Sequence, residues 1–215
     1  MQLPVVFNGS KIQSVLSEGI LETMIAIGNG ESRLEIDIDR ITDTKVGCNA
    51  VIRNHTIEHL VCVDKRMLKE CIQYSINAGT IYTRLNHLIG DSEVLRTLPE
   101  LPYTGSQRWD DPVHWGSGPY AVLIAARLSK TIKMIGFDLY SKDSFVNNCY
   151  KDTENYDASA KRAVDSRYWV HQISKIFECF SDREFTIYQT PDWQLPEKWI
   201  LPNVCLDKIS NFTYT

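Results

Sequence analysis

A turn with two glycines follows the first apolar run of the chain, in the stretch MIAIGNGES. Glycine lets a backbone approach a phosphate closely, and free N–H groups at the start of a following helix favour an anion. A tight strand-to-helix turn without a ligand fits the same residues. The dinucleotide fingerprint requires glycine at the sixth position, where this chain has Arg33, so a standard NAD site is disfavoured. The candidate nucleotide-binding residues in this turn are Gly28, Asn29, Gly30 and Ser32.

Two further polar residues stand where apolar runs end. Asn49 follows the second run, and its amide can hydrogen-bond a ribose hydroxyl or a base edge. A turn or capping role fits Asn49 equally well. Asp64 follows the third run, where we favour a role as the cap of the next helix and keep it as a binding candidate.

A second glycine-containing turn, HWGSGPYA, opens a helix that is apolar almost all round and therefore belongs in the middle of the fold. Its residues Gly116, Ser117 and Gly118 provide a second set of backbone N–H groups for an anion. Ser117 is expected to be the N-cap of this helix, a role that is compatible with ligand binding.

The apolar run IGFDLY carries Gly136, Asp138 and Tyr140 at the end of another strand. An aspartate in an otherwise apolar strand end needs a partner, because an unpaired carboxylate is costly to bury. A ligand hydroxyl, a helix start or a salt bridge would each provide one.

These residues can converge only if the strands that precede them lie side by side. Strand-like and helix-like segments alternate along the chain. The predicted strands cover residues 22–29, 44–52, 58–65, 80–85, 131–140 and 184–190, and the predicted helices cover 31–41, 65–79, 117–130 and 160–180. Leu34, Ile38 and Ile41 are expected on one face of the first helix, and Gly79 is expected to be the C-cap of the second.

Near-continuous apolar strands that alternate with helices predict an α/β fold, Rossmann-like and doubly wound, with a mainly parallel sheet covered by helices on both faces. Ligands of such folds bind beyond the carboxyl ends of the strands. The length predicts one domain over residues 1–215, with an N-terminal extension (1–21), a core (22–190) and a C-terminal tail (191–215). An irregular stretch over 86–115 is expected to form the acceptor side, with Asp110 and Asp111 as a candidate lid.

Composition disfavours several classes of function. A formal net charge of −4 and a pI near 5.7 argue against nucleic acid as a partner. No apolar run approaches the length of a transmembrane segment, and none is typical of a signal peptide. Six scattered cysteines without a CxxC pair favour reduced thiols and a cytoplasmic location. Asp37 and Asp39 are interpreted as part of a solvated helix face, so no metal site is predicted, and no oligomeric state is indicated.

Four of these motifs occur in an order found in one family. Gly-Asn-Gly after the first strand, Cys-Asn after the second, Ser-Gly at a central helix start and Gly-x-Asp-x-Tyr after the next strand resemble the bacterial sialyltransferases that extend lipooligosaccharide chains. The resemblance implies a Rossmann-like fold and CMP-sialic acid as the donor. A looser resemblance, through GNG-x-S and GxDxY, links the chain to Rossmann-like proteins similar to hydroxymethylpterin diphosphokinases.

The resemblance to sialyltransferases implies a nucleotide-binding site, a CMP-sugar as donor, a glycan as acceptor and no tightly bound cofactor. The residues to which it assigns contacts with phosphate, ribose or cytosine are Asn29, Gly30, Asn49, Ser117, Gly118, Gly136, Asp138 and Tyr140.

The chain departs from the family pattern where catalysis would take place. Glu31 replaces the family's proline and puts a negative charge near the expected phosphate site. The family's catalytic histidine precedes the last long helix, but residues 143–167 contain no histidine. The remaining weak catalytic candidates are His114, Tyr140 and His171, and for His171 a half-buried structural role is preferred.

Three functions therefore stay open at this point: a glycosyltransferase with a nucleotide-sugar donor, a pterin or nucleotide pyrophosphoryl-transfer enzyme, and a nucleotide-binding protein without catalytic activity. Tyr150 and Tyr156 could hold phosphates or assist a leaving group, although aromatic packing is the commoner role of such residues.

Overall fold

The computed structural model describes residues 19–88, 92–139 and 145–214. Most of the predicted N-terminal extension lies outside this part of the chain, and so does the candidate Tyr140. The division into extension, core and tail therefore stays a prediction.

Within this part of the chain, eight parallel strands form one sheet in the order β5-β4-β3-β2-β1-β6-β7-β8. The strands are β1 (Leu21–Ile27), β2 (Thr44–Cys48), β3 (Ile57–Val61), β4 (Ala78–Thr83), β5 (Leu95–Thr97), β6 (Ser129–Ile135), β7 (Glu184–Gln189) and β8 (Val204–Lys208). The predicted Rossmann-like α/β fold is confirmed. The sequence patterns miss both edge strands, because β5 has three residues and most of β8 is exposed.

The middle of β1 explains the near-continuous apolar runs. Met24, Ile25, Ala26 and Ile27 are all fully buried. Because successive side chains of a strand point to opposite faces, Met24 and Ala26 pack into one apolar cluster, whereas Ile25 and Ile27 pack into another. The sheet is therefore covered on both faces.

In the described residues, three α-helices cover the sheet: α1 (Lys65–Gln73), α2 (Ser117–Leu128) and α3 (Arg167–Cys179). The apolar α2 packs against β1, β2, β3 and β6 and against α3, on the face that Met24 occupies. Met67, Leu68 and Cys71 of α1 belong to the cluster on the opposite face. The central position predicted for the all-apolar helix is thus confirmed.

The helix predicted over residues 31–41 is wrong. Two short 3₁₀ segments, Glu31–Glu35 and Ile38–Arg40, stand there instead, and Leu34 is 68% exposed. Between them Ile36 has extended dihedral angles, and the carboxylate of Asp37 accepts a hydrogen bond from the N–H of Asp39. Aspartate side chains compete in this way with helical hydrogen bonding. The predicted helix face with Leu34, Ile38 and Ile41 therefore does not form.

Several strand and helix boundaries also differ from those predicted. The second strand ends at Cys48 rather than residue 52, because Asn49 has a left-handed φ of 53° that an extended chain cannot accommodate. Gly79 lies in β4 and is not a C-cap: a Cβ there would come within 2.7 Å of the carbonyl oxygen of Glu58 on β3. The last long helix begins at Arg167, seven residues later than predicted.

The chain crosses the sheet in two directions from β1. From β1 it proceeds to β2, β3, β4 and β5 on one side, and β6, β7 and β8 lie on the other. The carboxyl ends of β1 and β6 therefore flank the topological switch point, where ligands of open α/β sheets bind.

None of the helices in the described part of the chain has the length and apolarity needed to cross a membrane. All six cysteines are free thiols. Within residues 19–88, 92–139 and 145–214, no group of three or more His, Cys, Asp or Glu side chains is arranged to hold a metal ion.

Candidate functional site

Two glycines join the turns that follow β1 and β6. The N–H of Gly28 donates to the carbonyl of Ile135, and the N–H of Gly30 donates to the carbonyl of Gly136, both at 2.8 Å. A Cβ on Gly28 would lie 2.2 Å from the oxygen of Gly136, whose own φ is +70°. Only glycine permits this contact at both positions, so the Gly-Asn-Gly motif first of all builds the floor of the crevice.

The turn after β1 offers fewer free N–H groups than the sequence predicts. Glu31 N–H donates to Asn147 Oδ1 at 2.8 Å, and Ser32 N–H donates to Asp138 Oδ2 at 2.9 Å. With Gly30 also bonded, Asn29 has the one N–H between Gly28 and Ser32 that meets no acceptor in the described residues. An anion at this turn would therefore be bound by Asn29 and not by a row of amides.

Asp138 is the partner of the chain segment that follows the turn. Its carboxylate, in a residue that is 6% exposed, also accepts hydrogen bonds from the hydroxyl of Ser32 and, at 2.9 Å, from Nε2 of Gln189. A Cβ on Gly30 would come within 2.4 Å of the Asp138 carboxyl carbon. Of the three partners considered for Asp138, the structure shows the start of a helical segment.

Asn29 is held in place by its own side chain. Its Nδ2 donates to the carbonyl of Cys48 at 3.1 Å and to the hydroxyl of Tyr156 at 3.3 Å. The hydroxyl of Tyr150 accepts from Nη2 of Arg33 at 2.8 Å, and the rings of Tyr150 and Tyr156 lie 5.6 Å apart. Both tyrosines therefore support the turn from behind, which agrees with the packing role and not with phosphate binding.

A hydrogen-bonded bridge connects the ends of β2 and β3 to α2. Oγ of Ser117 donates to Oδ1 of Asn49 at 2.9 Å and accepts from the N–H of Val63 at 3.1 Å. The left-handed backbone of Asn49 is sparsely populated by residues other than glycine, and such conformations concentrate at functional sites. Nδ2 of Asn49 has no partner among the described residues, which leaves it to donate to a ligand.

The N-terminus of α2 supplies a second set of N–H groups. The N-cap is Gly116, and Ser117, which was expected there, is the first helical residue, because its hydroxyl is engaged by Asn49 and Val63. The N–H groups of Ser117 and Gly118 have no acceptor in the described chain, as expected for the first turn of a helix. Together with the helix dipole they favour an anion.

Arg84 positions this helix start, although its sequence context gave no reason to select it. Its guanidinium donates to the carbonyls of Val63, Pro112, Val113 and Trp115, at 2.9–3.2 Å. The segment that precedes α2 is thereby tied to the end of β3.

One cavity of about 340 Å³ collects these residues at the switch point. Ten of the twelve predicted nucleotide-binding residues line it: Gly28, Asn29, Gly30, Asn49, Asp64, Gly116, Ser117, Gly118, Gly136 and Asp138. Asp64 also caps α1, as predicted, since its Oδ1 accepts from the N–H of Arg66 at 2.8 Å. Ser32 lines a neighbouring cavity of about 480 Å³, which shares Asp138 and Asn147 with the first.

Two aromatic residues in this lining were missed from the sequence. Tyr168 and Trp169 stand in the first turn of α3, with ring centroids 4.7 Å apart, and both line the cavity. Burial raises the pKa of Tyr168 above its usual value, so the phenol stays neutral and can donate a hydrogen bond. The adjacent pair was visible in the sequence, but the helix was predicted to begin at residue 160, which hid its position at the helix start.

The two histidine candidates lie away from the cavity. His114 is exposed, and its Nε2 accepts from Nε of Arg108 at 3.4 Å. His171 is 4% exposed, and its Nε2 lies 2.7 Å from Oδ1 of Asp110. The preferred structural role of His171 agrees with this position, although the residue is buried rather than half-buried.

Asp110 anchors the long loop, and the lid considered for Asp110 and Asp111 stays a prediction. Its carboxylate also accepts from the hydroxyl of Tyr103 at 3.0 Å and from the N–H of Gln107 at 2.8 Å. Burial by itself would raise the pKa of Asp110, but the hydrogen bonds from His171, Gln107 and Tyr103 outweigh burial and lower it.

The chain is similar in fold to an alpha-2,3-sialyltransferase from Campylobacter jejuni, whose crystal structure was determined in apo form. The TM-score is 0.50 at 14% sequence identity, and the similarity covers 100% of this chain and 87% of that chain. The sialyltransferase-like fold predicted from the four motifs is thus confirmed. No protein-family model matches the chain, and no curated protein matches it.

Proposed function

We propose that this chain is a glycosyltransferase that binds a nucleotide sugar, a CMP-sugar in the first instance, in the switch-point cavity. The observation that carries the proposal is the convergence of ten candidate residues from separate strand and helix ends on one cavity. The similarity in fold to a sialyltransferase supports this proposal, because a protein of that fold carries out glycosyl transfer.

The size and lining of the cavity favour a mononucleotide. A volume of about 340 Å³ is at the lower end of the roughly 300–1,000 Å³ usual for ligand sites. The N-terminus of α2 would take the phosphate, and Nδ2 of Asn49 would donate to the phosphate or the ribose. Trp169 offers an aromatic face on which a base can stack.

The proposed reaction is a displacement at the anomeric carbon. The acceptor hydroxyl oxygen forms a bond to that carbon, and the bond from the carbon to the phosphate oxygen breaks. The nucleotide leaves with the electron pair, and the acceptor proton passes to a base. Two carboxylates, Asp64 and Asp138, line the described cavity. Asp138 already accepts three hydrogen bonds, so we assign to Asp64 the role of the base that takes the acceptor proton.

We further propose that the acceptor glycan binds in the neighbouring cavity of about 480 Å³. This cavity shares Asp138 and Asn147 with the first, so ligands in the two would be in contact. Trp193 and Gln194 belong to its lining, and an aromatic face with an amide group suits a sugar ring.

A ligand panel tests nucleotide binding. Thermal unfolding is measured with CMP, CDP, UDP, GDP, ATP and a pterin, each with and without Mg²⁺. A ligand at about 100 times its Kd adds about 2.7 kcal/mol, which for a chain of this size raises Tm by roughly 5–10 °C. Stabilisation by cytidine nucleotides alone supports the proposal, whereas Mg²⁺-dependent stabilisation by ATP or the pterin would favour pyrophosphoryl transfer instead.

A second experiment, on the variant Asp64→Asn, separates transfer from binding. Release of CMP from CMP-sialic acid is followed with a panel of glycans as acceptors, for the wild type and for Asp64→Asn. We expect Asp64→Asn to bind CMP normally and to lose about 100-fold or more in kcat. The second candidate function, nucleotide binding without transfer, is favoured by the position of His114 and His171 outside the cavity. CMP binding by a wild type that transfers to none of the acceptors would support it.

A further inference from the structure

A buried cation lies directly behind the turn after β1. Arg33 is 3% exposed and stands at the position of the third glycine in the dinucleotide fingerprint. Its Nη1 donates to the carbonyl of Gly28 at 3.0 Å and to Oδ1 of Asn29 at 3.1 Å. Both of these residues line the switch-point cavity, so the guanidinium stands one residue layer behind the cavity wall.

The four groups in the described part of the chain that bond to this guanidinium are all formally neutral. Besides the two in the turn, they are the hydroxyl of Tyr150 and Sγ of Cys149, the latter at 3.3 Å from Nε. Burial by itself would lower the pKa of Arg33, but the interactions with Tyr150 and Cys149 raise it, so the group stays charged.

Within the described residues no carboxylate forms an ion pair with Arg33. Asp138 is engaged by Ser32 and Gln189 instead. Glu31, on the solvent side of the turn, pairs with Nζ of Lys151 at 2.6 Å. A buried charge without a counter-ion is unfavourable, and a function that uses the charge would account for it.

We propose that Arg33 is a positioning residue that attracts the phosphate of the bound nucleotide through the Gly28-Asn29 wall and holds that wall in its binding conformation. This inference rests on the proposed nucleotide binding. The phosphate is the missing counter-charge, and the interaction is screened little because the guanidinium is shielded from water. A neutral nucleoside in the same cavity would gain nothing from it.

The test compares CMP with cytidine, by calorimetric titration of the wild type, Arg33→Gln and a matched control. Glutamine keeps one amide NH₂ group as a donor and removes the charge. The control is Lys175→Gln, which changes the net charge equally but removes a surface cation that pairs with Glu178 and does not line the cavity. For Arg33→Gln we expect the preference for CMP over cytidine to fall about tenfold, while Lys175→Gln keeps the wild-type preference.

The preference should fall without vanishing, because the N-terminus of α2 remains. A merely structural role of Arg33 would weaken CMP and cytidine binding by the same factor and leave the preference unchanged, which would overturn the inference. Wild-type protein that binds neither CMP nor cytidine would refute the proposed function itself and is thus a distinct result.

A measurement on the wild type alone guards against misfolding of Arg33→Gln. The preference is determined at about 0.05 M and about 0.5 M NaCl, between which exposed charges lose most of their effect. A buried guanidinium predicts a preference that changes less than about threefold. A preference that collapses in high salt would assign the attraction to surface cations and contradict the role of Arg33.

Discussion

Replacement of Asn49 by aspartate would separate its role in folding from its role in binding. The aspartate keeps the oxygen that accepts from Oγ of Ser117 at 2.9 Å, and it tolerates the left-handed φ of 53° nearly as well as asparagine does. We therefore expect the free energy of unfolding to change by less than about 1 kcal/mol. The substitution does remove Nδ2, the donor without a partner in the described chain.

The cost to binding follows from what Nδ2 faces. Loss of one hydrogen bond costs about 1 kcal/mol. With Nδ2 placed against the ribose, the new carboxylate stands on the order of 8 Å from the phosphate and adds about 2 kcal/mol of repulsion at an effective dielectric constant of about 20. CMP should therefore bind about 150-fold more weakly to Asn49→Asp. Cytidine, which carries no phosphate, should lose only about fivefold.

Calorimetric titration of both ligands measures these losses, and urea unfolding checks stability. Ser117→Ala is the matched control, because it breaks the same bridge and leaves Nδ2 of Asn49 present. If Asn49→Asp bound CMP as tightly as a nucleotide-binding wild type does, Asn49 would not face the ligand, and the assignment of this side of the cavity would be wrong.

Three further outcomes are expected. Gly28→Ala places a Cβ 2.2 Å from the oxygen of Gly136, so the free energy of unfolding should fall by about 1–3 kcal/mol, and thermal unfolding measures the lower Tm. The hydrogen bond from His171 contributes to a lowered pKa of Asp110, so this carboxylate adds stability that is complete above the unfolded pKa of about 3.9 and is lost as the pH falls through the lower folded value. Asp110→Asn should therefore be less stable at pH 7 and lose less stability on acidification, which urea unfolding between pH 3 and pH 7 would detect. Trp169→Ala should weaken CMP and cytidine alike, by about 1–3 kcal/mol for loss of a stacked base, and equal affinity of the variant and the wild type in titration would place the base elsewhere.

The sequence alone predicted the six inner strands of the sheet and the polar residues beyond their carboxyl ends. The apolar runs around Met24–Ile27 and 131–135 predict buried parallel strands, because only strands covered on both faces avoid polar alternation. Since the carboxyl ends of parallel strands lie at one edge of the sheet, Gly28, Asn49 and Asp138 were expected at that same edge. Their distances from one another then depend on the order of the strands.

Only the tertiary structure decided what each group does at that edge. In the sequence, Arg33 indicated only that the third glycine of the NAD motif is absent. In the fold it is a buried cation behind the cavity wall. The sequence predicted Ser117 to be a helix N-cap. In the fold its hydroxyl connects Asn49, after β2, with Val63, after β3. Hydrogen-bond partners more than fifty residues apart, as Ser117 and Asn49 are, leave no periodic trace in a sequence. Residue types therefore predicted the place of the site, whereas the partners that set its chemistry depended on the packing of distant segments.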